Sequence, residues 1–412
     1  MASVTDLSPT SSGTAGSVRG YPVLADRDAA VEAVRTLLPG IAARAAQADA
    51  ARCVPPETIR ELEEAGLFGL LTPRAYGGSA LGWEALVSVV MELGTVCGST
   101  GWVFGVLSGH NHMLSRFPEA VQQDILSDPR NHMAVVFRLR DAWTATPVEG
   151  GYRLTGGRGR FCSGVDHSRW VGVNAIVESG PDAGQMAFCL IEQERLEKLD
   201  DWDVMGMRGT QSRSIVIDDL FVEESRLIRA VDLAGPAVGP AAAEAAFYDW
   251  PYFALAPYAI VGSPLGVARG LLGQAVAGVK GRIAGFDDEL TAGQAATFAR
   301  LSHAAQDIEM AAELILADAR RIDEGRFADA APLDHARFRR NLASAPQLAR
   351  AAANRLFEGA GGSGIYRSNS IERMVRDVNA GAAHYAFTDD IAAPNYGRAL
   401  LGLPPARSNS FV

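Results

Sequence analysis

The spacing of apolar positions changes twice along the chain. From about residue 28 to 127 they recur every three or four positions. Ile59 and Leu62 lead to Gly66, and Leu86, Val87, Val90 and Leu93 form a stripe closed by Gly94. That period lines one face of a helix, and a following glycine is a natural stop. Pro118 is placed to open a helix over Glu119–Leu126, while Pro73 and Gly77-Gly78 mark a loop. From about 132 to 228 the period drops to two, with Val171, Val173, Ala175 and Val177 alternating with their neighbours, as do Ile215 and Ile217. Gly150-Gly151 and Gly156-Gly157 supply turns, so this block predicts a small β-barrel or sandwich. Residues 230–251, crowded with Ala, Gly and Pro, read as a connection. Beyond them Ala295, Phe298, Leu301, Ala305, Ile308, Ala312, Ile315, Ala319 and Ile322 step by three or four up to Gly325. One long helix follows from that run, suited to a bundle or a subunit interface. Glycines at 262, 266, 270, 273, 278 and 281 predict another helix that packs closely on a neighbour, at some cost in intrinsic stability. The pattern gives an α+β chain: a leader over 1–20, an N-terminal helical domain over 21–131, a β domain over 132–230 and a C-terminal helical bundle over 231–412.

Composition narrows the function. With 412 residues, 48% of them hydrophobic, the chain can bury a large core. A net charge of −10 and a pI near 5.3 argue against nucleic acid or an anionic membrane as partner. No uninterrupted apolar run approaches the roughly 20 residues of a membrane span. The Ser-, Thr- and Gly-rich start lacks an apolar signal core, so a disordered leader and a cytoplasmic location are expected. Cys53, Cys97, Cys162 and Cys189 form no CxxC pair and read as buried thiols. His110 and His112 point in different directions on a helix, and no HExxH occurs, so no metal site is expected.

Three stretches carry chemistry. Gly159-Arg160-Phe161-Cys162-Ser163-Gly164 and Trp202-Asp203-Val204-Met205-Gly206-Met207-Arg208-Gly209-Thr210-Gln211-Ser212 set glycines beside short hydroxyl and amide side chains. Such turns bring N–H and O–H groups close to a planar, heteroatom-rich ligand. Near the end, Gly361-Gly362-Ser363-Gly364-Ile365-Tyr366 runs into Ile371-Glu372-Arg373-Met374-Val375-Arg376-Asp377 and then His384. Together with Leu62–Leu70, Pro73–Gly78, Gly98–Trp102 and Asn395–Pro404, these motifs resemble the acyl-CoA dehydrogenase superfamily from about residue 35 to 405. Within it they look most like the reduced-flavin-dependent monooxygenases, such as the oxygenases of hydroxyphenylacetate and steroid catabolism.

The resemblance implies an N-terminal helical domain, a β-barrel or sandwich and a helical bundle, assembled as a homotetramer. It implies reduced FAD (or FMN) supplied by a separate flavin reductase, with molecular oxygen as co-substrate. Oxygen would pass from a C4a-hydroperoxyflavin to an aromatic small molecule, phenolic, indolic or polycyclic. Ser163 would lie near flavin N5, and Phe161, Thr210, Gln211 and Ser212 would contact the cofactor. Arg282 and the Gly361-Gly362 turn would meet its diphosphate, the latter from a neighbouring subunit. Trp102 would line the substrate pocket and His112 would anchor substrate. Where dehydrogenases of this superfamily carry a catalytic glutamate, the chain reads Ala382-Ala383-His384-Tyr385-Ala386. An imidazole there can accept a phenolic or indolic proton, or protonate a departing oxygen.

Three rivals stay open at this point. An acyl-CoA dehydrogenase needs a carboxylate base, and residues 378–388 offer none. A non-catalytic flavin-binding member of the fold is a second. Oxygenation at nitrogen or sulfur by the same cofactor is the third.

Overall fold

The computed structural model describes residues 22–138, 140–284 and 294–406; the leader expected over 1–20 lies outside them. Five helices come first: α1 (Arg27–Ala51), α2 (Pro56–Glu64), α3 (Trp83–Gly94), α4 (Gly98–Leu114) and α5 (Glu119–Leu126). Pro118 is the residue before the helix it was expected to open. The stripe of Leu86, Val87, Val90 and Leu93 on α3 is fully buried, which is why a short helix with no side chain of its own capping its start holds there. That start is capped from far away. The Asp323 carboxylate accepts from Trp83 N at 2.7 Å and Glu84 N at 2.8 Å, filling donors a first turn leaves empty.

Ten strands come next: β1 (Met133–Val136), β2 (Trp143–Val148), β3 (Gly151–Thr155), β4 (Gly157–Cys162), β5 (Trp170–Val177), β6 (Met186–Glu192), β7 (Glu197–Leu199), β8 (Arg213–Ile217), β9 (Leu220–Glu223) and β10 (Leu227–Arg229). One curled sheet runs β10-β6-β5-β2-β3-β9, with β1 parallel to β5; the second runs β4-β8-β7. Trp143 of β2 joins the two, buried completely and donating its indole N–H to Gly157 O of β4 at 2.9 Å.

After a crossover that holds α6 (Ala230–Leu233), two 3-10 turns and α7 (Tyr252–Leu255), the chain builds the bundle. Its helices are α8 (Tyr258–Ile283), α9 (Ala295–Glu324), α10 (Pro332–Ala360), α11 (Ser370–Ala382) and α12 (Asp389–Leu400). The apolar run through Ile322 is α9, buried along Ala304, Ile308, Ala311, Ile315, Ala319 and Ile322. The glycine-rich segment is α8. It crosses α3 so closely that a Cβ on Gly266 would lie 2.1 Å from Met91 O, and one on Gly270 would lie 2.0 Å from Thr95 O. Gly273 and Gly281 face open space, so close packing explains only the first half of that set. Tyr252–Ile283 is long and apolar enough to span a membrane by composition, contrary to the sequence expectation, yet 78% of its most apolar window is buried within the protein.

Candidate active site

Four elements from the three regions converge at the start of α4: α4 itself, the end of β4, the Met205–Ser212 segment and α11. A Cβ on Gly98 of α4 would lie 3.3 Å from Met207 Sδ and 3.4 Å from Asp377 Cβ. One on Gly164 would lie 3.2 Å from Val103 Cγ1, and one on Gly381 of α11 3.6 Å from Met207 Cε and 3.7 Å from Trp102 Cζ3.

The β4 strand delivers Ser163 through an irregularity. Its pairing with β8 shifts register between Gly159 and Cys162, and Phe161 adopts φ 70°. Such a bulge re-aims the side chains beyond it. Phe161 is turned outward, 67% exposed, its ring edge-on to Trp202. Ser163 is turned inward, with Oγ 2.7 Å from Ser212 Oγ. Ser212 Oγ in turn lies 2.8 Å from Thr210 Oγ1, which donates to Met207 O at 2.8 Å.

The segment bearing Thr210 and Ser212 is held in a conformation its sequence does not favour. Met207 and Gln211, neither a glycine, sit at φ 54° and 48°. Left-handed backbone at such residues persists only where surroundings impose it. Met207 N donates to Asp377 Oδ1 at 2.6 Å, Gly164 N to Thr210 O at 3.0 Å and Val54 N to Gly209 O at 3.0 Å. Gly206 lies so close to α11 that a Cβ would come within 2.3 Å of Arg376 O. Arg376 grips Met205 O at 2.7 Å and pairs with Asp49 and Glu372. Burial pushes the Asp377 carboxyl up to about 6, against the pull of the Met207 N–H. Gln211 Oε1 is buried without a hydrogen-bond partner. An unfilled buried acceptor costs about 1–3 kcal/mol, which a ligand N–H would offset. An orphan carbonyl beside a run of hydroxyls fits the heteroatom edge of a flavin ring.

His384 ends α11 rather than riding on it. The helix stops at Ala382, and His384 takes φ −60°, ψ 139° to open a 3-10 turn over Tyr385–Phe387. The cause is tertiary: Gln347 Nε2 donates to Ala382 O at 3.1 Å and Phe387 O at 3.4 Å, and Phe387 is buried. The His384 ring meets Trp102 edge-on, with centroids 5.5 Å apart. Its Nδ1 accepts from Ala386 N at 3.3 Å. Burial pushes its pKa down to about 4, so the imidazole is neutral near pH 7 and its one proton sits on Nε2.

Trp102, Ser163, Thr210, Gln211, Ser212 and His384 are thus brought to one junction. His112 is not. It lies about 15 Å further along α4, fully buried, its Nε2 3.0 Å from Phe247 O and its ring stacked on Tyr248. Burial and the adjacent Arg116 guanidinium drive its pKa well down. Arg282 is exposed near the end of α8, and Gly361 and Gly362 are exposed at the turn after α10. Among the described residues neither contacts Ser163, Thr210 or Ser212. Sequence reasoning quoted Gly206 and Met207 within their motif without giving either a role, passed over Gln347, and took Asp377 as a family mark without its bond to Met207. Methionine and glycine carry no polar signal, and the glutamine's partners lie far along the chain.

Comparison with known proteins accords with this arrangement. Family models for acyl-CoA dehydrogenase match at the N-terminal domain (residues 25–127) and the C-terminal domain (residues 258–389). The chain is 31% identical over 381 residues to a pigment production hydroxylase of a Rhodococcus species, covering 91% of this chain and 96% of that one. It is 30% identical over 376 residues to the oxygenase component of an FADH2-dependent resorcinol hydroxylase of a Rhizobium species, covering 88% and 91%. Its fold matches the crystal structure of the HsaA monooxygenase from Mycobacterium tuberculosis with TM-score 0.84 and 28% identity, over 94% of this chain and all of that one.

Proposed function

The chain belongs to the oxygenase components of flavin-dependent monooxygenases built on the acyl-CoA dehydrogenase fold, and from that premise we propose that it hydroxylates a phenolic ring held beside the Trp102–His384 pair. The class takes reduced flavin from a separate reductase and acts on aromatic substrates. Reduced flavin supplies two electrons to molecular oxygen, so that one oxygen atom enters the ring and the other leaves as water.

The protein's own part is positional. Ser163, Thr210, Gln211 and Ser212 would hold the ring edge of the flavin, with Ser163 at N5. His384 keeps a proton on Nε2, because Nδ1 is occupied by Ala386 N–H, and would donate it to the substrate's phenolic oxygen. That departs from the expectation of a proton acceptor: as a donor, the imidazole would orient the phenol and stabilise negative charge on its oxygen. Trp102, 8% exposed, would exclude water from one side. Arg282 and Gly361-Gly362, exposed in one protomer, would meet the diphosphate of FAD bound to a neighbour in a homotetramer. The observation that carries the reading is the meeting of a hydroxyl run, an orphan amide oxygen and a neutral imidazole at one junction.

The test mixes full-length protein with chemically reduced FAD, oxygen and a panel of substituted phenols and indoles, and looks for hydroxylated product by mass spectrometry with labelled oxygen. Incorporation of one labelled atom is expected for a phenol. Hydrogen peroxide as the sole product across the panel, or reduction of bound oxidised flavin by an acyl-CoA, overturns the proposal.

A further inference from the structure

The hydroxyl run at the site has a direction. A hydroxyl carries one proton, and a carbonyl oxygen carries none to give. Thr210 Oγ1, 2.8 Å from Met207 O, therefore spends its proton on that carbonyl. Ser212 Oγ, 2.8 Å from Thr210 Oγ1, must then donate to Thr210. Ser163 Oγ, 2.7 Å from Ser212 Oγ, must donate to Ser212. Every proton points inward, and Ser163 presents only a lone pair to whatever lies beyond it. Thr210 and Ser212 are 2% and 5% exposed, so bulk water does not reach the inner part of the run, and half-buried Ser163 is its open end. Its anchor is firm as well. Met207 O also accepts from Thr210 N at 3.1 Å, and Met207 N is held by the buried Asp377 at 2.6 Å.

Reduced and oxidised flavin differ in polarity at one ring atom. The reduced ring carries an N5–H donor, and the oxidised ring carries a bare N5 acceptor. We infer that Thr210 and Ser212 are positioning residues that fix Ser163 as a hydrogen-bond acceptor, so that the site selects reduced over oxidised flavin at N5. The inference rests on the placing of Ser163 at N5 proposed above. It gives an oxygenase that receives its flavin reduced, and must part with it oxidised, a discrimination built from hydrogen-bond polarity alone.

The test measures dissociation constants of oxidised FAD in air and of dithionite-reduced FAD under anaerobic conditions, by titration of the full chain. Wild type is expected to bind the reduced form tighter. In Thr210→Val and Ser212→Ala the Ser163 hydroxyl is released to donate to a bare N5. The ratio of the two constants should fall about tenfold, the worth of one net hydrogen bond, chiefly because oxidised flavin binds better. A gain in affinity is not something a misfolded variant can produce. Thr210→Ser, which keeps the hydroxyl, should restore the wild-type ratio.

Each failure is distinct. If Ser163→Ala collapses the ratio while Thr210→Val and Ser212→Ala keep it, the ordered run is overturned and the flavin reading stands. If Ser163→Ala keeps the ratio, Ser163 is not at N5, and both that placing and this inference fall. Absence of binding to wild type in either redox form overturns the flavin site itself.

Discussion

The two ends of α4 each bury polar side chains, and they do so in opposite ways. At the far end Arg116 is 3% exposed and, among the described residues, in salt-bridge contact with no carboxylate; its guanidinium is spent on Tyr248 O at 2.8 Å, His112 O at 2.8 Å, Gly235 O at 3.3 Å and the Trp250 carbonyl. His112 is likewise tied to Phe247 O. These groups pin the crossover between sheet and bundle to the helix and have nothing left to offer. At the near end the side chains bond chiefly to one another. They leave three unfilled valences: the Ser163 lone pair, Gln211 Oε1 and His384 Nε2–H. Burial of a histidine therefore says little about chemistry. What separates a site from a joint is whether the fold has already used every donor and acceptor.

That contrast can be broken at either end. The largest expected effect is at the joint. Arg116→Met strips buried carbonyls of their donor and should cost about 3–5 kcal/mol in urea unfolding, while flavin affinity of the folded fraction holds. A loss below about 1 kcal/mol would mean that water satisfies those carbonyls. At the site, His384→Ala should lower turnover of a phenolic substrate about 100-fold with little change in unfolding midpoint. His384→Gln, whose amide N–H can stand in for Nε2–H, should recover part of it. Equal turnover in both variants would remove the donor role. Gly206→Ala should cost about 1–3 kcal/mol and weaken flavin binding together, because the added carbon forces the Met205–Ser212 segment off α11. Stability lost with flavin affinity intact would separate that segment from the cofactor.

The smallest effect is a slope. Buried His112, held neutral by its surroundings of Arg116, Tyr248 and Tyr252, stays unprotonated in the folded state, whereas the unfolded chain takes up a proton below its ordinary pKa of 6.5. Its contribution is complete above pH 6.5 and is lost as pH falls. His110, His167 and His384, each pushed down to about 4, act the same way. His112→Phe should flatten the decline in unfolding free energy between pH 7 and 5 by its share only. An unchanged slope would mean that His112 protonates within the fold.

How much of this was visible in the sequence depends on how local its cause is. The α9 stripe and the close approach of α8 to α3 follow from spacing and from glycine; the first holds beyond the exposed Ala295 and Phe298, the second over the first half of the glycines. The residues that meet at the junction were picked out through their motifs. The end of α11 is not legible in its own residues, because it is Gln347, from another helix, that closes the turn. The neutral burial of His112 was hidden for a similar reason. Its acceptor is a main-chain carbonyl in a segment that reads as a loop. Proton order among Ser163, Ser212 and Thr210 was out of reach entirely, since it depends on a carbonyl aimed by a backbone angle at Met207.

The cap on α3 has a consequence for how the chain is made. Trp83 and Glu84 leave the ribosome long before Asp323, the carboxylate that completes their turn. The first turn of α3 must therefore wait for its cap until α9 has been synthesised and docked. The first part of the protein to appear is among the last to become finished, and a chain halted before residue 323 lacks the group that closes it.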